Sequence, residues 1–277
     1  ANLPASDCGP DRVWYGSAAA SEFHDMDWLR LHMQADEEVQ IRSLTNDQTI
    51  LVLAGPKSRH VLSAVSRHDW SQNAFPWLSA RETFIGAAPA TVLGVSFSGE
   101  LAYEIHVPNG SLLHAYQALR RAGEVHGMTL FGSRAVESMR MEKGFLHWKS
   151  DILTEFDPYE TGLDRFVKLD KPDFVGKAEL LDSKASGPRR KLVTLAIDTE
   201  EAVAQGGASV RQGDGIAGTV TSADWGHRTG LNLAYAFVEP KHGELDQKLT
   251  VDILGQRIAA KVVRSCPYDP SFSRMRA

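Results

Sequence analysis

A strand-like stretch near the middle of the sequence carries two glutamates, where a carboxylate needs a specific partner. The stretch is VSFSGELAYEIHVP, residues 95–108, and it places Tyr103 between Glu100 and Glu104. Burying a carboxylate among apolar residues is costly unless a positive charge or a hydrogen-bond donor meets it. The position of Glu104 in an apolar run therefore predicts a group that brings such donors to it.

Other familiar chemical motifs are absent from the sequence. No Gly-x-Gly-x-x-Gly follows a predicted strand, and no His-Glu-x-x-His or Gly-x-Ser-x-Gly occurs. His24, His147 and His227 have no partner at ligand spacing, and the two cysteines, Cys8 and Cys266, lie far apart. No metal site is predicted. If the protein is an enzyme, we expect it to use carboxylates, positioning and a bound organic cofactor.

Composition narrows the classes of partner. The chain has 277 residues, a net charge of −5 and a pI of about 6.1, with 43% hydrophobic residues. This balance argues against a nucleic-acid-binding surface, which normally shows a basic excess. No apolar run approaches the roughly 18 residues that span a bilayer, so no membrane interaction is predicted. We expect a cytoplasmic protein.

The elements that must position these residues change character along the chain. Helical patterns alternate with strand patterns up to about residue 180, including a predicted hairpin over residues 92–107. Residues 183–190 are rich in Ser, Gly, Pro and basic residues, which predicts a linker. Short predicted strands follow, with turns at 213–215 and 254–256. The prediction is an α+β region over residues 1–185 and a small β-barrel or sandwich over residues 190–277.

Three stretches together resemble the aminomethyltransferase (glycine-cleavage T-protein) superfamily. They are FSGELAYE at residues 97–104, a long match over 132–177 that includes GSRAVESMRMEKG, and a third over 218–270 that includes GTVTS and LAYAFVEP. The branch they resemble most is the C-terminal tetrahydrofolate-binding portion of dimethylglycine and sarcosine dehydrogenases and oxidases. The resemblance implies a T-protein-like folate-binding fold, incomplete at its N-terminus, followed by the barrel.

The resemblance also implies which residues bind tetrahydrofolate. Glu104 matches a glutamate that accepts hydrogen bonds from the pterin ring, whose adjacent N–H donors suit a fixed carboxylate. Phe97 stands where the family commonly has Tyr, so its ring can stack but offers no hydroxyl. Arg134 matches a folate-pocket arginine, and Tyr103 lies in the same motif as Glu104. The alternative for Glu104 is an ion pair with a nearby arginine such as Arg134.

A further arginine on the Arg134 helix has a plainer interpretation. Arg140 lies three residues after Glu137 and two before Glu142. Arginine and glutamate three residues apart on a helix, as Glu137 and Arg140 are, commonly form an ion pair. Arg140 is therefore expected to be structural, paired with Glu137 or Glu142.

The family's catalytic aspartate has no counterpart in the sequence. Its motif should precede the first predicted strand, yet Asp7 and Asp11 have no such context. We therefore predict no catalytic residue and expect the chain to be inactive alone. The resemblance implies an upstream segment or a partner polypeptide that supplies the aspartate, and it places FAD only in such an upstream domain or partner chain.

Three functions fit the resemblance. The leading one is the folate-binding part of a flavin-linked N-demethylase, which captures the one-carbon unit as 5,10-methylenetetrahydrofolate. The alternatives are a stand-alone folate-dependent aminomethyl or methyl transferase and a non-enzymatic folate-binding relative. The last would be expected to carry a reactive cysteine motif, which neither Cys8 nor Cys266 provides.

Overall fold

The chain divides into two compact units. The computed structural model describes residues 6–7 and 12–277. The first unit is Ala1–Gly132 together with Ser271–Ala277, and the second is Ser133–Pro270. Among the described residues, no helix combines the length and the apolar character needed to cross a bilayer.

The first unit is built on a four-stranded antiparallel sheet. Its helices are α1 (Glu22–His32), α2 (Ser58–Val65) and α3 (Leu112–Glu124). Its strands are β1 (Ser6–Asp7), β2 (Val13–Trp14), β3 (Gln48–Ala54), β4 (Ala80–Ile85), β5 (Ala88–Leu93) and β6 (Ala102–Pro108). β1 and β2 pair with each other, and the large sheet has the order β3-β6-β5-β4. The hairpin expected over residues 92–107 is confirmed as β5 and β6, which are antiparallel neighbours.

The alternation of side chains along β6 separates a core face from a second face. Tyr103, Ile105 and Val107 are buried in the apolar cluster that includes residues of α2 and α3. Successive strand residues point to opposite faces of a sheet, so Glu104 and His106 lie on the other face. The hydrophobic pattern fixes this arrangement, because a shift of one residue would bury Glu104 in the core.

Helix α1 forms where the apolar spacing predicts it, but it packs unlike an ordinary surface helix. None of its residues is buried, and Phe23 and Leu31 are 83% and 76% exposed. Ser21 occupies the N-cap position without donating or accepting a side-chain cap bond. The helical pattern is therefore confirmed, while its apolar stripe has no covering surface among the described residues.

The second unit combines two helices with a closed barrel. The helices are α4 (Ser133–Lys143) and α5 (Lys177–Ser186). The barrel strands are β7 (Lys191–Ile197), β8 (Ser209–Gln212), β9 (Gly215–Gly226), β10 (Leu231–Val238), β11 (Lys248–Ile253) and β12 (Gln256–Val263). They close in the order β10-β7-β12-β11-β8-β9. The α+β class with a C-terminal barrel is confirmed, and the pairing of β10 with both β7 and β9 makes it a barrel instead of a sandwich.

Candidate functional site

Glu104 lies at the middle of the sheet in the first unit, on the face away from the core. Its strand neighbours are Val52 on β3 and Leu93 on β5. The side chain is 22% exposed. Its Oε2 is shielded from solvent and has no hydrogen-bond partner among the described residues. Nearly all buried polar atoms in proteins are hydrogen-bonded, so this oxygen calls for a donor, and the partly exposed remainder of the carboxylate is accessible to a ligand.

His106 is the polar neighbour of Glu104. Two residues further along β6, it lies on the same face and is 6% exposed. Its Nε2 is 3.4 Å from Glu104 Oε2, at the outer limit for a hydrogen bond, and it too has no bonded partner among the described residues. The Trp14 ring stands edge-on to the imidazole at 5.2 Å and 84°. β2 therefore supplies an aromatic wall beside the Glu104–His106 pair.

Apolar side chains surround this pair on the same face of the sheet. Val52 pairs with Glu104 across the ladder and is 52% exposed, and Ile50 pairs with His106 and is 48% exposed. Phe84 on β4 is 60% exposed. The surface beside Glu104 is thus largely apolar. Such a surface suits a flat heteroaromatic ring that brings N–H donors to the carboxylate.

Phe97 and Glu100 lie in the connection between β5 and β6. Both side chains are half-buried. Within the connection the Gly99 amide donates to Ser96 Oγ at 3.1 Å, and Gly99 takes a positive φ of 78° that favours glycine. The connection is thus held in a defined conformation. Its half-buried Phe97 is accessible enough for a contact with a ligand, which stays a prediction.

Tyr103 lies on the core face, opposite Glu104. It is 1% exposed, and its ring packs 6.3 Å from the Trp70 ring and 6.0 Å from the Phe75 ring. Burial raises the pKa of its hydroxyl to about 12, although the nearby Arg59 charge acts in the opposite direction. Its hydroxyl has no hydrogen-bond partner among the described residues. The expected folate contact of Tyr103 stays a prediction, and this placement favours a packing role.

Arg134 lies in the first turn of α4, in the second unit. Its side chain is exposed. In the part of the chain that the structure describes, it has neither an ion pair nor a side-chain hydrogen bond. The guanidinium is therefore available to a ligand anion, and its role as a folate contact stays a prediction.

The second unit contains a buried charged cluster whose partners the sequence did not reveal. Arg140 Nη2 pairs with Glu137 at 2.7 Å, as expected, and Arg140 Nη1 lies 2.5 Å from Asp151 Oδ2. Burial opposes the charge of Arg140, but Asp151 and Glu137 outweigh it and raise the pKa of its guanidinium. Glu142 takes no part in this pair. It accepts hydrogen bonds from Arg228 on the β9–β10 turn.

Asp151 is completely buried, and all of its contacts are internal. Its Oδ1 accepts hydrogen bonds from the hydroxyls of Thr221 and Ser222 on β9, and its Oδ2 accepts one from the His147 amide at 2.9 Å. A fully satisfied carboxylate has no capacity left for a ligand. We therefore assign this cluster to holding α4 and its following loop on the barrel.

The described residues hold no group of three or more His, Cys, Asp and Glu arranged to bind a metal ion. Cys266 is half-buried, donates to the Tyr268 carbonyl at 3.2 Å and has a thiol pKa that burial raises. A raised pKa disfavours the reactive thiolate. Cys8, like Asp11, lies outside the described residues, and the side chain of Asp7 is not described.

Two family models match nearly the whole chain. The GCVT N-terminal domain matches residues 3–171, and the glycine cleavage T-protein C-terminal barrel domain matches residues 190–269. A solved structure of the glycine cleavage system aminomethyltransferase T from Bartonella henselae shares the fold, with a TM-score of 0.77 and 23% identity over 93% of this chain and 67% of that one. The T-protein-like fold expected from the resemblance is confirmed.

Curated relatives differ in length. Mitochondrial dimethylglycine dehydrogenase of Rattus norvegicus is 32% identical over 95% of the chain, and mitochondrial sarcosine dehydrogenase of Mus musculus is 30% identical over 94%. The chain covers 31% and 29% of those proteins, so it spans about a third of their length. An aminomethyltransferase of Bacillus licheniformis is 29% identical over 90% of the chain and 68% of its own length.

Proposed function

The chain belongs to the glycine cleavage T-protein family, and on that premise we propose that it is the tetrahydrofolate-binding portion of a flavin-linked N-demethylase. The similarity to dimethylglycine and sarcosine dehydrogenases over nearly the whole chain supports this branch of the family. When bound, tetrahydrofolate supplies the nitrogens that take up the one-carbon unit as 5,10-methylenetetrahydrofolate. The residues of this chain bind and orient it.

The observation that carries the proposal is the carboxylate of Glu104. It lies beside apolar side chains, and its Oε2 has no bonded partner among the described residues. A pterin edge presents adjacent N–H donors, and a carboxylate can accept two of them in short, charge-assisted bonds. The flat ring would rest on apolar side chains such as Val52. The group that the family implies therefore fits the donors and acceptors present here.

The test is the affinity for tetrahydrofolate, measured anaerobically by isothermal titration calorimetry on the wild type and on Glu104→Gln. An amide cannot accept both pterin bonds, and each bond to a charged group contributes about 1.5–3 kcal/mol. We expect the dissociation constant to rise at least about tenfold. The melting temperature should stay nearly unchanged, because Gln is almost isosteric with Glu and its amide oxygen can keep the 3.4 Å contact with His106 Nε2.

The matched control is Glu82→Gln. Glu82 lies on β4 on the same face, is exposed and pairs with Arg12. Its loss should leave folate affinity within about twofold, since a surface ion pair contributes little. Equal affinity of the wild type and Glu104→Gln would refute the assignment of Glu104.

We propose in addition that another polypeptide segment, carrying the flavin, covers the exposed apolar side chains of the first unit. Contiguous apolar surface on a soluble protein commonly marks an interaction site. Here Phe23 and Leu31 of α1 are substantially exposed, and β3 is an edge strand of the sheet. An open edge strand with exposed apolar residues is normally paired or covered. The greater length of the dehydrogenase relatives supports an upstream segment of the same gene product as the cover.

Amide hydrogen exchange tests whether another segment covers this surface. The exchange rates of residues 22–32 and 48–54 are compared between the chain alone and a polypeptide extended to the length of the dehydrogenase relatives. We expect protection of both segments only in the longer polypeptide, together with flavin absorbance. Two results together would contradict the proposed covering segment. They are strong protection of both segments in the chain alone, and conversion of formaldehyde and tetrahydrofolate by the chain alone at a rate above the spontaneous one.

A stand-alone aminomethyltransferase is the second candidate. The similarity to the Bacillus licheniformis aminomethyltransferase, of which the chain covers 68%, favours it. The two functions differ in the need for a flavin: a stand-alone transferase would act on an aminomethyl carrier without one. The same extended polypeptide, assayed with and without bound flavin, distinguishes them.

A further inference from the structure

His106 is a buried polar residue beside Glu104. The proposed binding of folate by Glu104 does not by itself explain it. Only 6% of it is exposed. Its closest polar atom is Glu104 Oε2, 3.4 Å from its Nε2, and both atoms are shielded from solvent and lack hydrogen-bond partners in the described part of the chain. Two neighbouring polar atoms, each buried without a bonded partner, are rare unless they act together.

Residues of three neighbouring strands lie next to His106. Thr91 on β5 and Ile50 on β3 are its strand partners, and Trp14 meets it edge to face. On the same face Glu82 pairs with Arg12, whereas Glu104 lies 3.4 Å from the imidazole. The nearest charge for the imidazole is therefore Glu104. A fixed ring whose Nε2 faces a carboxylate can hold that carboxylate in one rotamer.

We infer that His106 positions Glu104 for the ligand by donating its Nε2–H to Oε2. This inference rests on the proposed binding of tetrahydrofolate by Glu104. Oε2 is shielded from solvent, so it can accept from His106 while the other oxygen of the partly exposed carboxylate accepts from a pterin N–H. The 3.4 Å separation is long for a hydrogen bond, and functional hydrogen bonds of this kind often shorten when a ligand binds. His106 is thus a positioning residue that acts through Glu104.

The first test is a set of substitutions read out by tetrahydrofolate affinity. His106→Phe keeps a ring of similar size and removes both nitrogens, whereas His106→Gln places an amide N–H near the position of Nε2. Losing one net hydrogen bond should weaken binding about fivefold in the Phe variant. The Gln variant should bind within about twofold of the wild type. If His106 acted only by packing, the Gln variant should bind tetrahydrofolate more weakly than the Phe variant, because Gln lacks the ring.

The double variant shows whether His106 acts through Glu104. With Glu104→Gln already present, His106→Phe should cause no further loss of affinity. An equal loss in both backgrounds would overturn the inference, and so would wild-type affinity of His106→Phe. If Glu104→Gln itself leaves affinity unchanged, the proposed site fails and this inference fails with it. If affinity falls with Glu104→Gln but not with His106→Phe, the inference about His106 is overturned while the proposed site stands.

A measurement on the unmodified chain covers the case in which a variant does not fold. A nitrogen-15 correlation spectrum of the imidazoles reports which ring nitrogen carries the proton. We expect His106 to be the Nε2–H tautomer and its Nε2 proton to shift downfield when tetrahydrofolate is added. The Nδ1–H tautomer, with the Nε2 lone pair toward the carboxylate, would overturn the inference.

Discussion

The carboxylate of Asp151 lies 2.5 Å from the guanidinium of Arg140, and both side chains are almost completely buried. Asp151 follows α4 in the sequence, and its other oxygen is held by two hydroxyls of barrel strand β9. One buried carboxylate therefore ties a helix, the loop after it and a barrel strand together. Removing one partner of such a pair leaves the other charge buried and uncompensated.

We expect Asp151→Ala to lower the free energy of unfolding by about 3 kcal/mol or more, measured by urea denaturation. The matched control is Glu137→Ala, which removes the more exposed carboxylate on the same arginine and should cost about 1 kcal/mol or less. Similar losses for the two variants would show that burial of Asp151 adds nothing.

Phe97 is expected to stack on the folate ring system. Truncation in Phe97→Ala should weaken tetrahydrofolate binding about threefold to tenfold, because an aromatic contact contributes roughly 0.5–1.5 kcal/mol beyond its buried area. Phe97→Tyr restores the residue common in the family and should bind as well as the wild type or better. Unchanged affinity in Phe97→Ala would place the residue outside the site.

The hydroxyl of Tyr103 should make the stability of the protein depend on pH above about 10. Burial raises the pKa of Tyr103 to about 12 in the folded state, whereas the unfolded side chain titrates near its ordinary value of 10.0. The unfolded state therefore releases this proton first as the pH rises. The contribution of the raised pKa is complete below pH 10 and is lost as the pH approaches about 12.

Tyr103→Phe removes this dependence. The free energy of unfolding of the wild type, minus that of the Phe variant, should stay constant up to pH 10 and fall above it. Removing a buried hydroxyl without a partner should also leave the Phe variant at least as stable as the wild type at pH 8. A difference that does not change between pH 8.5 and 11 would contradict the buried placement of this hydroxyl.

Gly144 follows the last residue of α4. Its φ is +75°, and a Cβ there would overlap the carbonyl oxygen of Ser265. Gly162 has a similar φ of +71° with open space around it. We expect Gly162→Ala to cost about 1–2 kcal/mol from backbone strain alone. Gly144→Ala should cost clearly more in the same denaturation experiment, because strain and overlap add.

Local patterns in the sequence determined much of the fold. Alternation along residues 102–108 fixed which side chains of β6 enter the core, and this placed Glu104 on the face opposite Ile105. The glycines at 213, 215 and 255 marked two of the barrel hairpins. The same period of two could have shown that His106 shares a face with Glu104. Metal-ligand spacing between histidines does not reveal this relation.

The tertiary structure decided which groups each side chain contacts and how deeply it is buried. Asp151 bonds with groups 11 and 71 residues away, Arg140 and Ser222, so no short motif marks it. Tyr103 stands next to Glu104 in the motif, yet the pleat sends the two side chains to opposite faces. The spacing of α1 predicted a helix, but only the folded chain shows that none of its residues is buried. Helical and strand periods are local properties of the backbone, whereas partners and burial depend on contacts between distant segments.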